Sequence, residues 1–213
     1  MNTAKSDVDC IPGVVRYEGF GREALIARAT ELTHPAYPHD HVYGRFCTVQ
    51  DHIDCPIDIV YDYLADVENL GEWTLSTRDL VPTGRSGRYA GTDRLAKDTR
   101  IHLAVHADPV ARTVDYHCAW DQGSDLWMIY LFRLVDARLA LGRPGTVVIW
   151  TNCRHPNYDR NPHPESAPDT GRLWVGDLWP LFYAGHSIEL ANLKAILQYR
   201  YGSATRAVRR DVA

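Results

Sequence analysis

The stretch Val175–Tyr201, VGDLWPLFYAGHSIELANLKAILQYRY, carries the longest helical periodicity in the 213-residue chain. Advancing by about 100° per residue from His186, Trp179, Phe182, Tyr183, Leu190, Leu193, Ile196 and Leu197 fall on one side. Ser187, Ala191, Asn192, Lys194 and Arg200 fall mostly away from it. The pattern predicts an amphipathic helix of roughly six or seven turns. Gly176-Asp177 offers an N-cap, Pro180 is tolerable only in the first turn, and Gly202 is a stop. Two ionisable groups, His186 and Glu189, lie in or beside the apolar stripe. A buried charge without partners is costly, so the helix is expected to cover an apolar region containing a polar spot.

Upstream, residues 154–174 hold four Pro and read as a long loop. Before it the period changes to two. Ser76–Val81, Arg88–Lys97, Ile101–Val105, Val114–Trp120, Leu126–Val135 and Thr146–Cys153 are six strand candidates joined by short turns, which makes an antiparallel meander. Ile101, Leu103 and Val105 alternate with His102, and Val114, Tyr116 and Cys118 with His117; if the apolar rows face inward, both histidines point outward. Earlier still, Tyr43–His52 reads as a strand. Pro56 and Asp58 start a helix with Ile57, Val60, Tyr61 and Leu64 on one stripe, and Asp66 begins a second helical turn ending at Gly71, anchored by Trp73. The order is strand, two short helices, six strands, long helix. That is an α+β arrangement of a seven-stranded antiparallel sheet and one helix. If the sheet curls around the helix, a cavity remains between them.

Composition excludes some partners. The net charge of −4 argues against nucleic acid or an anionic membrane, which need a clustered basic surface. Arg206, Arg209 and Arg210 read as a solvated tail. MNTAKSDVDC lacks the apolar core of a secretory signal, and no run of about 18 apolar residues occurs. Five Cys without a CxxC pair fit a reducing, cytoplasmic setting. Residues 1–42 read as an accessory arm. It holds a short helix at Arg22–Leu32, with Leu25, Ile26 and Ala29 on one side, and a loop His34–His41 whose Pro35 and Pro38 prevent regular metal-ligand spacing. Twelve Tyr and six Trp against four Phe favour either aromatic cores or wet-edged pockets. No nucleophile elbow and no phosphate loop occur.

The segment HIDCPIDIVYDYLADVENLGEWT, through Ile53, Pro56, Val60, Tyr61, Tyr63, Leu64, Ala65, Asp66, Asn69, Leu70 and Trp73, resembles the opening of the START-like superfamily. That superfamily (SRPBCC) includes Bet v 1-like allergens and polyketide cyclase/dehydratase-like proteins. The resemblance covers about residues 43–201. It implies a helix-grip fold, a seven-stranded curved antiparallel sheet wrapped around a long C-terminal helix with two short helices after the first strand. The expected units are an arm at 1–42, a START-like domain at 43–203 and a tail at 204–213. The arm and the 154–174 loop are additions to the minimal domain, so the cavity mouth is expected to be rebuilt.

His186 and Glu189 stand three apart, neighbours on one helix surface. Three readings stay open: a general acid/base pair with Glu189 holding the imidazole, a shared metal ion, or a structural pair satisfied by backbone or Arg. Metal binding, as in START-like zinc hydrolases, would need two further ligands from His102, His117 and His155. Arg78, near the cavity in the resembled family, either steadies an oxyanion or pairs on the surface with Asp79 or Glu72. Trp73, Ser76, Tyr116, Trp120, Tyr130, Trp150, Phe182 and Tyr183 are candidate ligand contacts, or simply core. The resemblance implies an enzyme acting on a hydrophobic, oxygenated, polyketide-like or aromatic substrate by proton transfer, with no cofactor and no metal. A non-catalytic carrier and a zinc-dependent carbon–carbon hydrolase are the alternatives. The expected partner is a hydrophobic small molecule, and the arm either caps the cavity or builds a homodimer.

Overall fold

The computed structural model describes residues 7–33, 45–168 and 171–202. The His34–His41 loop and the arginines at 206, 209 and 210 lie outside the described residues.

Strand β1 (Phe46–Ile53) is followed by helix α3 (Ile57–Ala65), a 3-10 turn at Val67–Asn69 and helix α4 (Leu70–Trp73). Two further helices precede β1: α1 (Tyr17–Phe20) and α2 (Arg22–Thr33). Asp66 caps the turn by accepting from the Glu68 amide at 3.0 Å, which is why the chain re-enters a helix there. That helix runs on to Trp73, past the stop expected at Gly71. Strands β2 (Thr77–Pro82), β3 (Arg88–Asp93), β4 (Arg100–Asp108), β5 (Thr113–Trp120), β6 (Met128–Asp136) and β7 (Thr146–Cys153) complete a seven-stranded antiparallel sheet. Its order is β1-β7-β6-β5-β4-β3-β2, so β7 returns beside β1 and the meander closes on the first strand. A five-residue helix, α5 (Ala137–Leu141), interrupts the β6–β7 connection and carries no sequence signal strong enough to anticipate it.

The rows alternate as expected. Ile101, Leu103, Val114, Tyr116 and Cys118 are buried, and His102 and His117 sit on the outer face, half-buried. Strand β2 departs from alternation: Thr77 and Arg78 are both buried, because the register with β3 slips between Arg78 and Val81 and Asp79 takes φ 56°. This bulge turns the Arg78 side chain inward. Opposite it, Gly91 is required by close approach, since a Cβ there would lie 2.4 Å from the Arg78 carbonyl oxygen.

The C-terminal helix has two parts. Val175–Leu181, containing Pro180, is 3-10, and the α-helix α6 occupies Phe182–Tyr201. Proline removes a donor and crowds the preceding turn, so the α-geometry starts only beyond it. Asp177 accepts from the Trp174 amide at 2.9 Å, closing the entry. Gly176 does not cap; a Cβ there would lie 1.6 Å from the Tyr158 carbonyl oxygen. Asp177→Ala is expected to cost about 1 kcal/mol, read as a lowered unfolding midpoint.

One sheet-facing stripe does not describe α6. Its second face is covered by the arm. Asn192, expected outside, is 0% exposed: its Oδ1 accepts from the Val15 amide at 2.8 Å, and its Nδ2 donates to the carbonyls of Val15 (2.6 Å) and Trp73 (3.1 Å). Leu25 and Ala29 of α2 pack with Ala184 and Ile188 of α6 and Leu75. An amide substitutes here for apolar contact because an extended backbone must be satisfied where it crosses the helix.

Candidate functional site

A cavity of about 140 Å³ lies between the sheet and α6. That is on the order of ten times the space one water needs. Of the residues expected at the site, His186, Glu189, Trp73, Ser76, Tyr116, Trp120, Tyr130, Trp150 and Phe182 line it. Tyr183 does not; it sits half-buried on the next face of α6, where its carbonyl accepts from the Ser187 hydroxyl at 2.7 Å. Arg78 is not in the wall either.

The imidazole of His186 is 7% exposed and stacks on Trp150, centroids 4.1 Å apart at 28°. Phe182 and Tyr130 enclose it at 5.2 and 5.8 Å. Its Nδ1 lies 3.8 Å from the Cys47 sulfur. Burial pushes the imidazole down to about 3 and the Cys47 thiol up to about 12, so both are neutral across the ordinary pH range.

Glu189 does not hold the imidazole. Its Oε1 accepts from the Leu75 amide at 2.8 Å, and no hydrogen bond joins it to His186 among the described residues. The two diverge because i and i+3 side chains share a helix surface without sharing a direction. Burial raises the Glu189 carboxyl to about 8, and the Asp93 carboxyl pushes the same way. Asp93 is a site residue absent from the sequence reading. It ends β3 facing inward, with Leu95 N–H donating to Oδ1 at 3.0 Å and Trp120 Nε1 to Oδ2 at 3.3 Å. Its pKa is raised, first by burial. The available signal was its place on the same strand row as Gly91.

Arg78 corrects the sequence expectation most sharply. All five of its N–H directions are spent. Nε and Nη2 grip Glu18 at 2.8 and 2.9 Å; Nη1 donates to the carbonyls of Thr74 (2.9 Å) and Thr77 (2.8 Å), and Nη2 to that of Leu75 (3.1 Å). Neither Asp79 nor Glu72 takes it: Asp79 bonds Arg94 and Thr92, and Glu72 bonds Arg200 and Tyr63. With no donor left, it cannot steady an oxyanion.

Two aromatic contacts are also committed elsewhere. The Tyr116 hydroxyl donates to the Leu64 carbonyl, leaving only its ring to the cavity, and Tyr130 hydrogen-bonds Tyr158. The further ligands a zinc reading needs are not brought to His186. His102 and His117 stand on the outer face, and His155 packs on Trp127 while its Nδ1 accepts from the Asn157 amide. Among the described residues no group of three His, Cys, Asp or Glu is placed to hold a metal.

The arm supplies wall that sequence reasoning could not place. Leu25, Ile26 and Ala29 of α2 line the cavity. They are held by three tethers: Glu18 to Arg78, Val15 to Asn192, and the Tyr17 amide to the Leu75 carbonyl at 3.2 Å. The long loop is pinned by Arg172, which donates to Thr99 at 2.6 Å, ion-pairs with Asp121 and lies 5.4 Å over the Trp120 ring; none of its described residues lines the cavity.

A curved antiparallel sheet gripping a long C-terminal helix is the START/Bet v 1-like fold. A START superfamily protein from Mycobacterium smegmatis superposes with TM-score 0.50 at 11% identity, over 73% of this chain and 99% of that one. The protein XoxI from Bacillus cereus gives 0.50 at 10%, over 72% and 96%. The Zhui aromatase/cyclase from Streptomyces sp. R1128 gives 0.48 at 18%, over 73% and 92%. The first two similarities establish the fold and nothing about chemistry. Residues 46–144 match a family described as a domain of unknown function (DUF8713). No curated protein matches the sequence. No helix among the described residues is long and apolar enough to cross a membrane.

Proposed function

We propose that the cavity binds a hydrophobic, oxygenated small molecule and moves a proton on it, in a cyclisation, dehydration or aromatisation. The observation that supports this is the pairing, in one aromatic-walled cavity, of a neutral imidazole with a carboxyl raised to about 8. A group whose pKa lies near working pH is the better proton carrier. Glu189 therefore takes the acid/base role, and His186, too weak a base at about 3, positions the substrate. Its Nδ1 is taken up with the Cys47 sulfur at 3.8 Å, and Nε2, bonded by no described residue, is left for a substrate oxygen. Arg78 has no part in the reaction.

Gly185 gives a direct test of occupancy. It lines the cavity, and a Cβ there would meet only Leu75 Cδ1, at 4.0 Å. Gly185→Leu fills the space and raises helix propensity by somewhat under 1 kcal/mol. The wild-type protein is expected to bind 2-naphthol with a change in tryptophan fluorescence. The variant is expected to bind it at least about tenfold more weakly, a loss of 1.4 kcal/mol, with no drop in unfolding temperature. Native mass spectrometry of the purified protein identifies any retained molecule. With that substrate, Glu189→Gln should keep the fold and lose turnover. Turnover untouched by the substitution removes Glu189 from the chemistry, and no turnover by the wild-type chain leaves a carrier; equal loss of fold and activity removes the catalytic reading.

A further inference from the structure

The polar end of the cavity is short of positive charge. Among the described residues no Lys or Arg lines the wall. Arg78, on β2, is the one guanidinium acting on Glu189, and it already grips Glu18 of the arm. Facing it are three carboxyls: Glu18, Asp93 on β3 and Glu189 on α6. Asp93 is supplied with protein donors from Leu95 and Trp120. Glu189 has one, the Leu75 amide on Oε1, and no described residue bonds Oε2. The other titratable neighbours, His186 on α6 and Tyr130 on β6, bring no charge to offset it. The cavity it lines is also walled by the rings of Tyr130 and Phe182, which attract a cation once water is excluded, whereas Trp150 is already stacked against His186 and Phe132. His186, buried and lining the same space, has Nε2 unbonded by any described residue.

We infer that the ligand of this cavity carries a basic nitrogen, bound as a cation between the Glu189 carboxylate and the aromatic wall. The inference rests on the cavity-binding part of the function proposed above and names its substrate class. An uncompensated carboxyl in a desolvated site stays protonated; a cation seated beside it supplies the missing charge, and the carboxyl gives up its proton. Binding then releases a proton and converts Glu189 from an acid into a base beside the substrate. A neutral ligand without a hydrogen-bond acceptor leaves Glu189 protonated and gains nothing from it.

Two probes of one shape separate the cases: benzyltrimethylammonium and its uncharged isostere neopentylbenzene, titrated into the full chain. The cation is expected to bind at least about tenfold tighter at pH 9. Its affinity is expected to fall about tenfold per unit as pH drops below the Glu189 value of about 8, while that of the isostere stays flat. Glu189→Gln, whose side-chain carbonyl can still accept from Leu75, is expected to abolish both the preference and the pH dependence. Equal or tighter binding of the isostere, or a preference that survives Glu189→Gln, overturns the inference and leaves the cavity reading standing. A pH-independent preference in the wild-type chain also overturns it, should the variant not fold. Binding of neither probe removes the cavity reading, and this inference with it.

Discussion

Arg78→Ala is expected to unfold the protein more readily by about 3–5 kcal/mol, the cost of removing one partner from a buried charge network. At about 2–4 °C per kcal/mol for a chain this size, the midpoint should drop by roughly 10 °C. Arg78 is 6% exposed and donates to the Thr74 carbonyl and, beside the Tyr17 amide, to that of Leu75. Its loss removes the donor of the Thr74 carbonyl and frees Glu18, which fastens the arm. Arg78→Lys should recover only part, since an ammonium lacks the planar fork that grips a carboxylate and three carbonyls together. Glu18→Gln should cost less, because Glu18 is 39% exposed at its side chain and solvent screens what remains. A catalytic Arg78 would give the opposite pattern, an intact midpoint with activity gone. Thermal unfolding of the three variants decides between them.

Stability should also peak in a window from about pH 4.5 to 6.5, falling on either side by about 2 kcal/mol over the next one and a half pH units. The limbs have different owners. Glu189 has a folded pKa of about 8 against an ordinary 4.5. The folded state holds its proton more tightly, so this stabilisation is complete below 4.5 and is lost as pH rises toward 8. His186 has a folded value of about 3 against 6.5. The unfolded state binds that proton more tightly, so stability is complete above 6.5 and is lost as pH falls toward 3. Between 4.5 and 6.5 the two slopes, each about 1.4 kcal/mol per unit, oppose and cancel. Asp93, also raised by burial, contributes with the same sign as Glu189. Glu18, lowered to about 2, adds to the acid limb by a screened amount. Denaturant titrations across pH should show the alkaline limb flatten in Glu189→Gln and the acid limb shrink in His186→Asn. An alkaline limb unchanged in Glu189→Gln would mean the carboxyl is not desolvated.

The parts of the fold governed by period were legible. Strict alternation placed Tyr116, Trp120 and Trp150 inward and His102 and His117 outward, and the 3.6-residue stripe placed His186 over the sheet. What failed depended on contacts between distant segments. Asn192 reads as a solvated position until Val15 crosses it. Arg78 reads as an inward or a surface residue until the β2 bulge and Glu18, 60 residues away, take its donors. Asp93 hides in a strand whose alternation is blurred by Gly91. The link from Glu189 to His186 looked sound on a helical wheel, which gives angular position and not side-chain direction.

One residue, Leu75, holds both the arm and the acid: its carbonyl receives the Tyr17 amide and its amide donates to Glu189. Seating of the strap and ionisation of the carboxyl are therefore thermodynamically linked, and each must shift the other by the same factor. Lifting the strap wets the carboxyl and makes it more acidic; ionising the carboxyl favours the lifted strap. The proton on Glu189 thus works as a latch indicator, retained while the chamber is shut and surrendered when it opens.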